Sequence, residues 1–385
     1  MLTRSGYRVH AESAYEACAV ACTVVPGRVV MVLHDFRVGG AERVMLRLAG
    51  AFAQRGADVE VVTLRGNGPL RSELPERVGH VVLGGARVGR AVPRLATLLR
   101  ARRPDAVVAT LPHVNVATGL AHRLASSRSR LVLREANDPR FEHAFAGPTG
   151  ALRALLTRAA YARADAVVAL TEGNAAAIEG VLRVPPERVV VIPNPAPAVP
   201  AEPAPVDGLP SGAPRLLCVA RLSRQKDHRT LLLAFERLLA SHPCARLALV
   251  GDGPERAALA ALADELGVAA RVHVAGTVLD MEPWWSWADM CVLASRWEGF
   301  PNVLLEALAH GVPVVATDCP SGPREVVGDT GVGVLVPVGD AAAVAAAVAR
   351  VVADPPDPAA VRSRASVFAL DRVVERWWRV LDGGA

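Results

Sequence analysis

At 385 residues the chain is long enough for two ordinary domains, and 51% hydrophobic residues with only 4% aromatic ones mean a core built of Ala, Val and Leu. No window approaches the roughly 18 uncharged apolar residues of a spanning helix, and the six cysteines (Cys18, Cys22, Cys218, Cys244, Cys291, Cys319) are scattered without a zinc-finger spacing, which reads as free thiols in a reducing cytoplasm. The net charge of +5 conceals an asymmetry: residues 1–193 carry 26 Arg against 16 acidic residues, whereas residues 194–385 carry 17 basic against 22 acidic, so the first half meets anions more readily.

Residues 1–26 hold Arg4, Arg8, Glu12 and Glu16 without a long apolar core, which argues against a signal peptide and predicts a disordered extension. Cys18 and Cys22 stand one helical turn apart there, but a metal site would lack two further ligands. Apolar β-like runs then alternate with helical periods, the pattern of doubly wound α/β domains with parallel sheets. In the first half, taken as residues 27–193, strands are expected at 28–36, 59–65, 80–85, 106–112, 130–136 and 166–170. Gly39 and Gly40 follow the first strand and open a helix at Ala41; without side chains their amides can approach a ligand closely, with the helix dipole behind them. A dinucleotide fingerprint would need a third glycine and a later acid, and neither fits. The stretch 86–104 carries six arginines and no acid; it reads either as a solvated helix face or as a contact, Arg87–Arg103, with an anionic membrane or a lipid-linked phosphate. No aromatic residues interleave with it, which speaks against nucleic acid. His113 stands at the mouth of the first sheet, and Arg134 and Glu135 end another strand on the same edge and are acceptor-side candidates.

The proline-dense stretch 194–214 suits an extended linker between the domains. Beyond it, strands are expected at 216–220, 245–253, 271–276, 290–295 and 312–318, in a domain spanning 215–366. Arg221 ends the first of these and Lys226, the only lysine beside 42 arginines, follows it: a guanidinium fork and a compact ammonium, both suited to phosphate. Coding bias towards Arg is the plain alternative for that rarity. Gly251 and Gly253 flank Asp252 in a tight turn, for which no catalytic role is expected. In the segment Ser295 to Val326, Glu298 precedes a loop of Gly299, Phe300, Pro301 and Asn302, and a short apolar helix follows that carries Glu306. Asn302 is the expected N-cap, leaving free amides for an anion, and Glu306 lies about 6 Å further along the axis at 1.5 Å per residue. Carboxylates only accept hydrogen bonds, so this pair suits sugar hydroxyls better than phosphate. Ser321 and Gly322 in the next loop either line a sugar pocket or make an ordinary turn. Residues 367–385 form an apolar-striped helix in which Trp377 and Trp378 are packing residues.

EGFPNVLLEALAHGVPVVATD resembles the paired-glutamate signature of the retaining glycosyltransferases of family 4, with VGGAERV (38–44), VARLSRQKD (219–227) and VGDGPER (250–256) in the family's order; the likeness covers residues 28–383. It implies the GT-B fold, two Rossmann-like domains facing across a cleft, with the last helix crossing back to the first domain. It further implies transfer of a hexose or N-acetylhexosamine from a nucleotide-diphosphate sugar, a UDP-sugar above all, to a glycan, lipid-linked or small-molecule acceptor. Arg221 and Lys226 would hold the diphosphate. Glu298 and the amides of Gly299 to Asn302 would seat the sugar, Glu306 the ribose, and Gly39 and Gly40 would approach the phosphate. Gly251 and Gly253 would shape the nucleotide pocket, and His113 would stand close to the transferred sugar. Lys226→Ala or Glu298→Gln is expected to abolish transfer and leave the fold intact. No Asp-x-Asp motif is present, so neither a catalytic metal nor a cofactor is expected, and the enzyme is placed in the cytoplasm, peripheral at the inner membrane face. A nucleotide-sugar epimerase of the same fold, or a non-catalytic sugar-nucleotide-binding subunit, are the alternatives; the intact set of Arg221, Lys226, Glu298 and Glu306 speaks against the latter.

Overall fold

The computed structural model describes residues 27–383 apart from 67, 85–87, 143–149, 201–203 and 205–207, so the expected extension at 1–26 and Arg87 lie outside the described residues. The first sheet contains β1 (Arg28–Leu33), β2 (Asp58–Thr63), β3 (Gly79–Val82), β4 (Ala106–Thr110), β5 (Arg130–Arg134), β6 (Ala166–Ala169) and β7 (Val189–Val191), in the order β3-β2-β1-β4-β5-β6-β7. The second contains β8 (Arg215–Val219), β9 (Arg246–Val250), β10 (Val272–Gly276), β11 (Met290–Leu293), β12 (Val314–Thr317) and β13 (Gly333–Val336), in the order β10-β9-β8-β11-β12-β13. Their named strand pairings are all parallel. Both sheets therefore run outward in two directions from a switch point, β1/β4 in one and β8/β11 in the other, where ligands bind beyond the strands' carboxyl ends.

Apart from Arg28, the strands β1, β4, β6, β11 and β12 are buried along their length because helices cover both sides. Along β1, Val29, Met31 and Leu33 pack with α1 (Gly40–Gln54), while Val30 and Val32 pack with α2 (Val88–Arg102) and α3 (Pro112–Ala125). Two strands were not expected, β7 and β13; each is an edge strand of three or four residues, too short to carry a readable period. Seven expected strands end two or three residues early: 28–36 at Leu33, 59–65 at Thr63, 80–85 at Val82, 106–112 at Thr110, 130–136 at Arg134, 245–253 at Val250 and 290–295 at Leu293.

The described part of 194–214 forms no helix or strand. The last helix, Leu370–Asp382, follows the second sheet in the chain yet buries Val373, Val374, Trp377 and Trp378 in the first half's core, with the Trp378 ring 4.7 Å from that of Phe52 on α1. The arginine stretch forms most of α2 and its end; Arg90, Arg94, Arg100, Arg102 and Arg103 are exposed. Three of them already have partners: Arg94 donates to the carbonyls of Leu83 and Gly84, Arg100 to that of Leu124, and Arg102 to Glu60. Among the described residues no helix is long and apolar enough to cross a membrane.

Candidate active site

The loops that leave the two switch points carry the polar residues. His34 follows β1 and His113 follows β4, and they meet: His113 Nε2 lies 2.9 Å from His34 Nδ1, the rings edge to face at 4.7 Å. Burial lowers the pKa of His113 to about 4, helped by the charges of His34 and Arg37 and opposed by Asp35, so it is neutral near pH 7. His34 is lowered too, by burial first. Asp35 behind it is clamped by Arg37 through two bonds of 2.8 Å, which hold its carboxyl below the usual range against burial. Leu111, two residues before His113, takes φ 77°, an unusual backbone for a branched side chain that turns the loop onto the end of α3.

At the second switch point the loop after β8 brings Lys226 to the loop after β11. Lys226 Nζ donates to Glu298 Oε1 at 2.5 Å, and Ser295 Oγ donates to the same oxygen at 2.6 Å. Gln225 Nε2 reaches the Trp297 carbonyl and Arg296 Nε reaches Asp227, both at 2.9 Å, so the two loops are bolted together around the pair. Asp227, at φ 45°, caps the following helix (His228–Leu239) by accepting from Thr230 N. Arg221 is exposed at the end of β8 with no hydrogen bond to a described residue. Gly251 and Gly253 serve this loop by packing: a methyl group on either would lie 2.1 Å from the Ala220 carbonyl or 2.3 Å from that of Leu222. Among the described residues the Asp252 side chain bonds only Gly253 and Arg256.

The helix Asn302–Ala309 starts at the expected cap itself, one residue earlier than a cap at Asn302 implies. Pro301 occupies the N-cap position and no side chain caps the helix, while the Asn302 side chain turns across to the first half and accepts from Asn194 Nδ2 at 2.7 Å. Helix α1 begins beside it, also uncapped by any side chain at Gly39, and a methyl group at Gly40 would lie 2.6 Å from Asn302 Nδ2. Two helix N-termini thus face one gap, each a partial positive charge with free N–H groups. Gly299 has a packing reason as well: a methyl there would lie 2.4 Å from the Ala136 carbonyl of the other half.

Several expected ligand contacts turn out to be internal. Phe300 is buried against Phe368, ring centroids 5.9 Å apart, so only its backbone can serve a ligand. Arg134 is buried; it donates to Thr110 Oγ1 at 2.7 Å and to Asn194 Oδ1 at 2.6 Å, and burial brings its pKa down to about 10, opposed by Glu42 and Glu135. Glu135 is buried with Tyr161 and Asn115. The acceptor-side pair therefore points inward, Arg134 onto Thr110 and Asn194 and Glu135 onto Asn115 and Tyr161. Ser321 donates to the Glu298 carbonyl at 2.7 Å, and Gly322, at φ 98°, makes room for Pro301; both brace the loop. Glu306, one turn into its helix, is partly buried and faces Arg47 and Arg43 of α1; burial raises its pKa and those arginines oppose the rise. His34, Asn194, Ser295 and Arg47 were missed, although His34 and Ser295 were detectable as polar residues just past apolar strands at a switch point. No group of three or more His, Cys, Asp or Glu among the described residues could hold a metal ion.

Residues 38–198 match the family described as Glycosyltransferase Family 4, and residues 213–354 match Glycosyl transferases group 1. The chain is 31% identical over 326 residues to the lipopolysaccharide core biosynthesis glycosyltransferase LpsE of Rhizobium meliloti, covering 83% of this chain and 88% of that protein. It is 35% identical over 221 residues to an exopolysaccharide phosphotransferase of Streptomyces coelicolor, but that alignment takes in 55% of this chain and spans only 23% of that relative's length. Among solved structures, the Anabaena HepE protein in complex with UDP and glucose superposes with a TM-score of 0.75 at 20% identity, covering 91% of this chain and 97% of that one.

Proposed function

The chain belongs to the group 1 glycosyltransferases of family 4 and has their GT-B fold; from that premise we propose that it transfers a hexose or N-acetylhexosamine from a nucleotide-diphosphate sugar, a UDP-sugar first, to a glycan, lipid-linked or small-molecule acceptor in polysaccharide or lipopolysaccharide assembly, with retention at the anomeric carbon and without a metal. The observation that carries this reading is the Lys226–Glu298 contact of 2.5 Å at one switch point, with the uncapped N-terminus of the Asn302–Ala309 helix beside it and the uncapped N-terminus of α1 and the His34–His113 pair at the other. Lys226 and the exposed Arg221 supply positive charge to a departing diphosphate, and the helix ends supply N–H groups already oriented, the electrostatic contribution expected to be largest. Glu298 accepts from a sugar hydroxyl and Glu306 from the ribose. Neutral His113, with one nitrogen engaged by His34, offers the other to the sugar. The acceptor oxygen bonds to the anomeric carbon on the face from which the diphosphate oxygen leaves, and its proton passes to the β-phosphate.

The reading is supported if a UDP-, GDP-, ADP- or dTDP-sugar raises the melting temperature, by about 2.7 kcal/mol of stability at 100 times its dissociation constant, and if transfer persists in EDTA and is lost in Glu298→Gln. Full turnover by Glu298→Gln sinks the role of that carboxylate, and turnover of donor without acceptor to an altered sugar favours an epimerase. Lys226→Ala is a poorer test than the sequence alone suggests. Its removal leaves a buried carboxylate unpaired, which costs roughly 3–5 kcal/mol in comparable pairs. Location in the cytoplasm at an anionic membrane face, through Arg90 to Arg103, is the second part of the proposal. Sedimentation with anionic but not zwitterionic vesicles supports it; equal sedimentation with both overturns it.

A further inference from the structure

Between α1 and the Asn302–Ala309 helix lies a cavity of about 180 Å³, lined among others by Arg43, Arg47, Leu279, Glu282, Glu306 and His310. It is well below the roughly 300–1,000 Å³ of a pocket that takes a whole ligand, so it has the size of a subsite. Most of its charges are already matched. Arg43 binds Glu73 at 2.8 Å and reaches the Leu279 carbonyl, and Glu282 binds His310 at 3.0 Å. Two charges remain, one on each wall: neither the Arg47 guanidinium nor the Glu306 carboxylate has a hydrogen bond or salt bridge to any described residue, yet each is the other's strongest opposite charge. A guanidinium only donates and a carboxylate only accepts, so the occupant that satisfies both walls must donate on one side and accept on the other. A pair of neighbouring hydroxyls does this: their protons face Glu306 and their lone pairs face the planar Arg fork. The diphosphate of a nucleotide sugar, esterified at both ends, has no proton to offer Glu306.

We propose that Arg47, from the first half of the molecule, is a donor-binding residue that holds the ribose diol of the nucleotide against Glu306. The inference rests on the nucleotide-sugar reading and deepens it: the ribose is gripped from both halves, so donor binding draws α1 and the Asn302–Ala309 helix together. It assigns no preference among bases, since every ribonucleoside diphosphate carries the same diol.

The test is calorimetric titration of the full chain with UDP, GDP and ADP and with their 2′,3′-dideoxy counterparts, in the wild type, Arg47→Ala and Arg47→Gln, each checked for an unchanged melting transition. One lost hydrogen bond from a charged group is worth about tenfold in affinity. The expected result is that loss on the ribonucleotide the wild type prefers, with binding of its dideoxy form unchanged within about twofold by the same convention. An equal loss on both forms means that Arg47 acts through its field alone and overturns the ribose assignment, as does no loss on either. Failure of the wild type to bind any of the three diphosphates overturns the inference, and failure to bind dTDP as well overturns the nucleotide-sugar reading itself.

Discussion

His228 opens the helix after Lys226, buried with neither ring nitrogen bonded to a described residue, and burial lowers its pKa to about 4, with Lys226 adding to the fall and Asp227 opposing it. His113 across the gap is lowered to the same value, burial again first. Both are neutral in the folded protein between pH 4 and 6.5, where an unfolded histidine takes up a proton. The unfolded state therefore binds more protons in that window, and stability is expected to fall as pH drops from about 6.5 towards 4 and to lose nothing further from these two groups below it. Melting temperatures at pH 7, 5.5 and 4 read this directly. His228→Leu, which removes two unsatisfied ring nitrogens, flattens the dependence; an identical slope in that variant refutes the assignment. Residue identities were the best-read level of this protein: Lys226 and Glu298 were singled out from the chain and they touch. Arg134 and Glu135 were equally conspicuous and point inward, because a strand's last residue looks the same whether its side chain faces a cleft or a roof.

Among the elements, the short ones and the ends were hard to read. The Leu370–Asp382 helix has a stripe of Val373, Val374, Trp377, Trp378 and Leu381 that declares a buried face, but not which core receives it. Trp377 is buried beside Phe52 in the first half's core cluster, which also holds Met45 and Met31. Trp377→Ala is expected to cost about 3–5 kcal/mol, seen as a lower urea midpoint. A loss below about 1 kcal/mol would mean that the helix is not docked there, since surface changes stay within that range. The Asn302 helix carries the other lesson. Asn is a good cap by preference, yet here Asn194 from the far half takes its side chain, and a tertiary partner outweighs a local preference of about 1 kcal/mol.

At the scale of the whole molecule, what matters is how closely the halves approach. They meet through Asn194–Asn302, through Ser321 Oγ and Asp138 at 3.4 Å, and through backbone so close at Gly299 that no side chain fits against Ala136. Gly299→Ala is expected to wedge the halves apart, enlarging the radius of gyration in solution scattering and lowering donor affinity at least about tenfold (1.4 kcal/mol), with the helical signal intact; unchanged scattering and affinity would show that the gap closes regardless. The alternation of apolar runs and helical periods determined the two doubly wound sheets, and strand-end chemistry determined most of the residues at their mouths, because both depend on contacts within a few positions along the chain. Only the tertiary structure decided that His34 meets His113, that Arg47 faces Glu306 and that Arg134 is a strut. The first and the last depend on how neighbouring strands of one sheet bring their ends together, and the Arg47–Glu306 approach on how two sheets are set against one another; each is carried by packing between residues far apart in sequence.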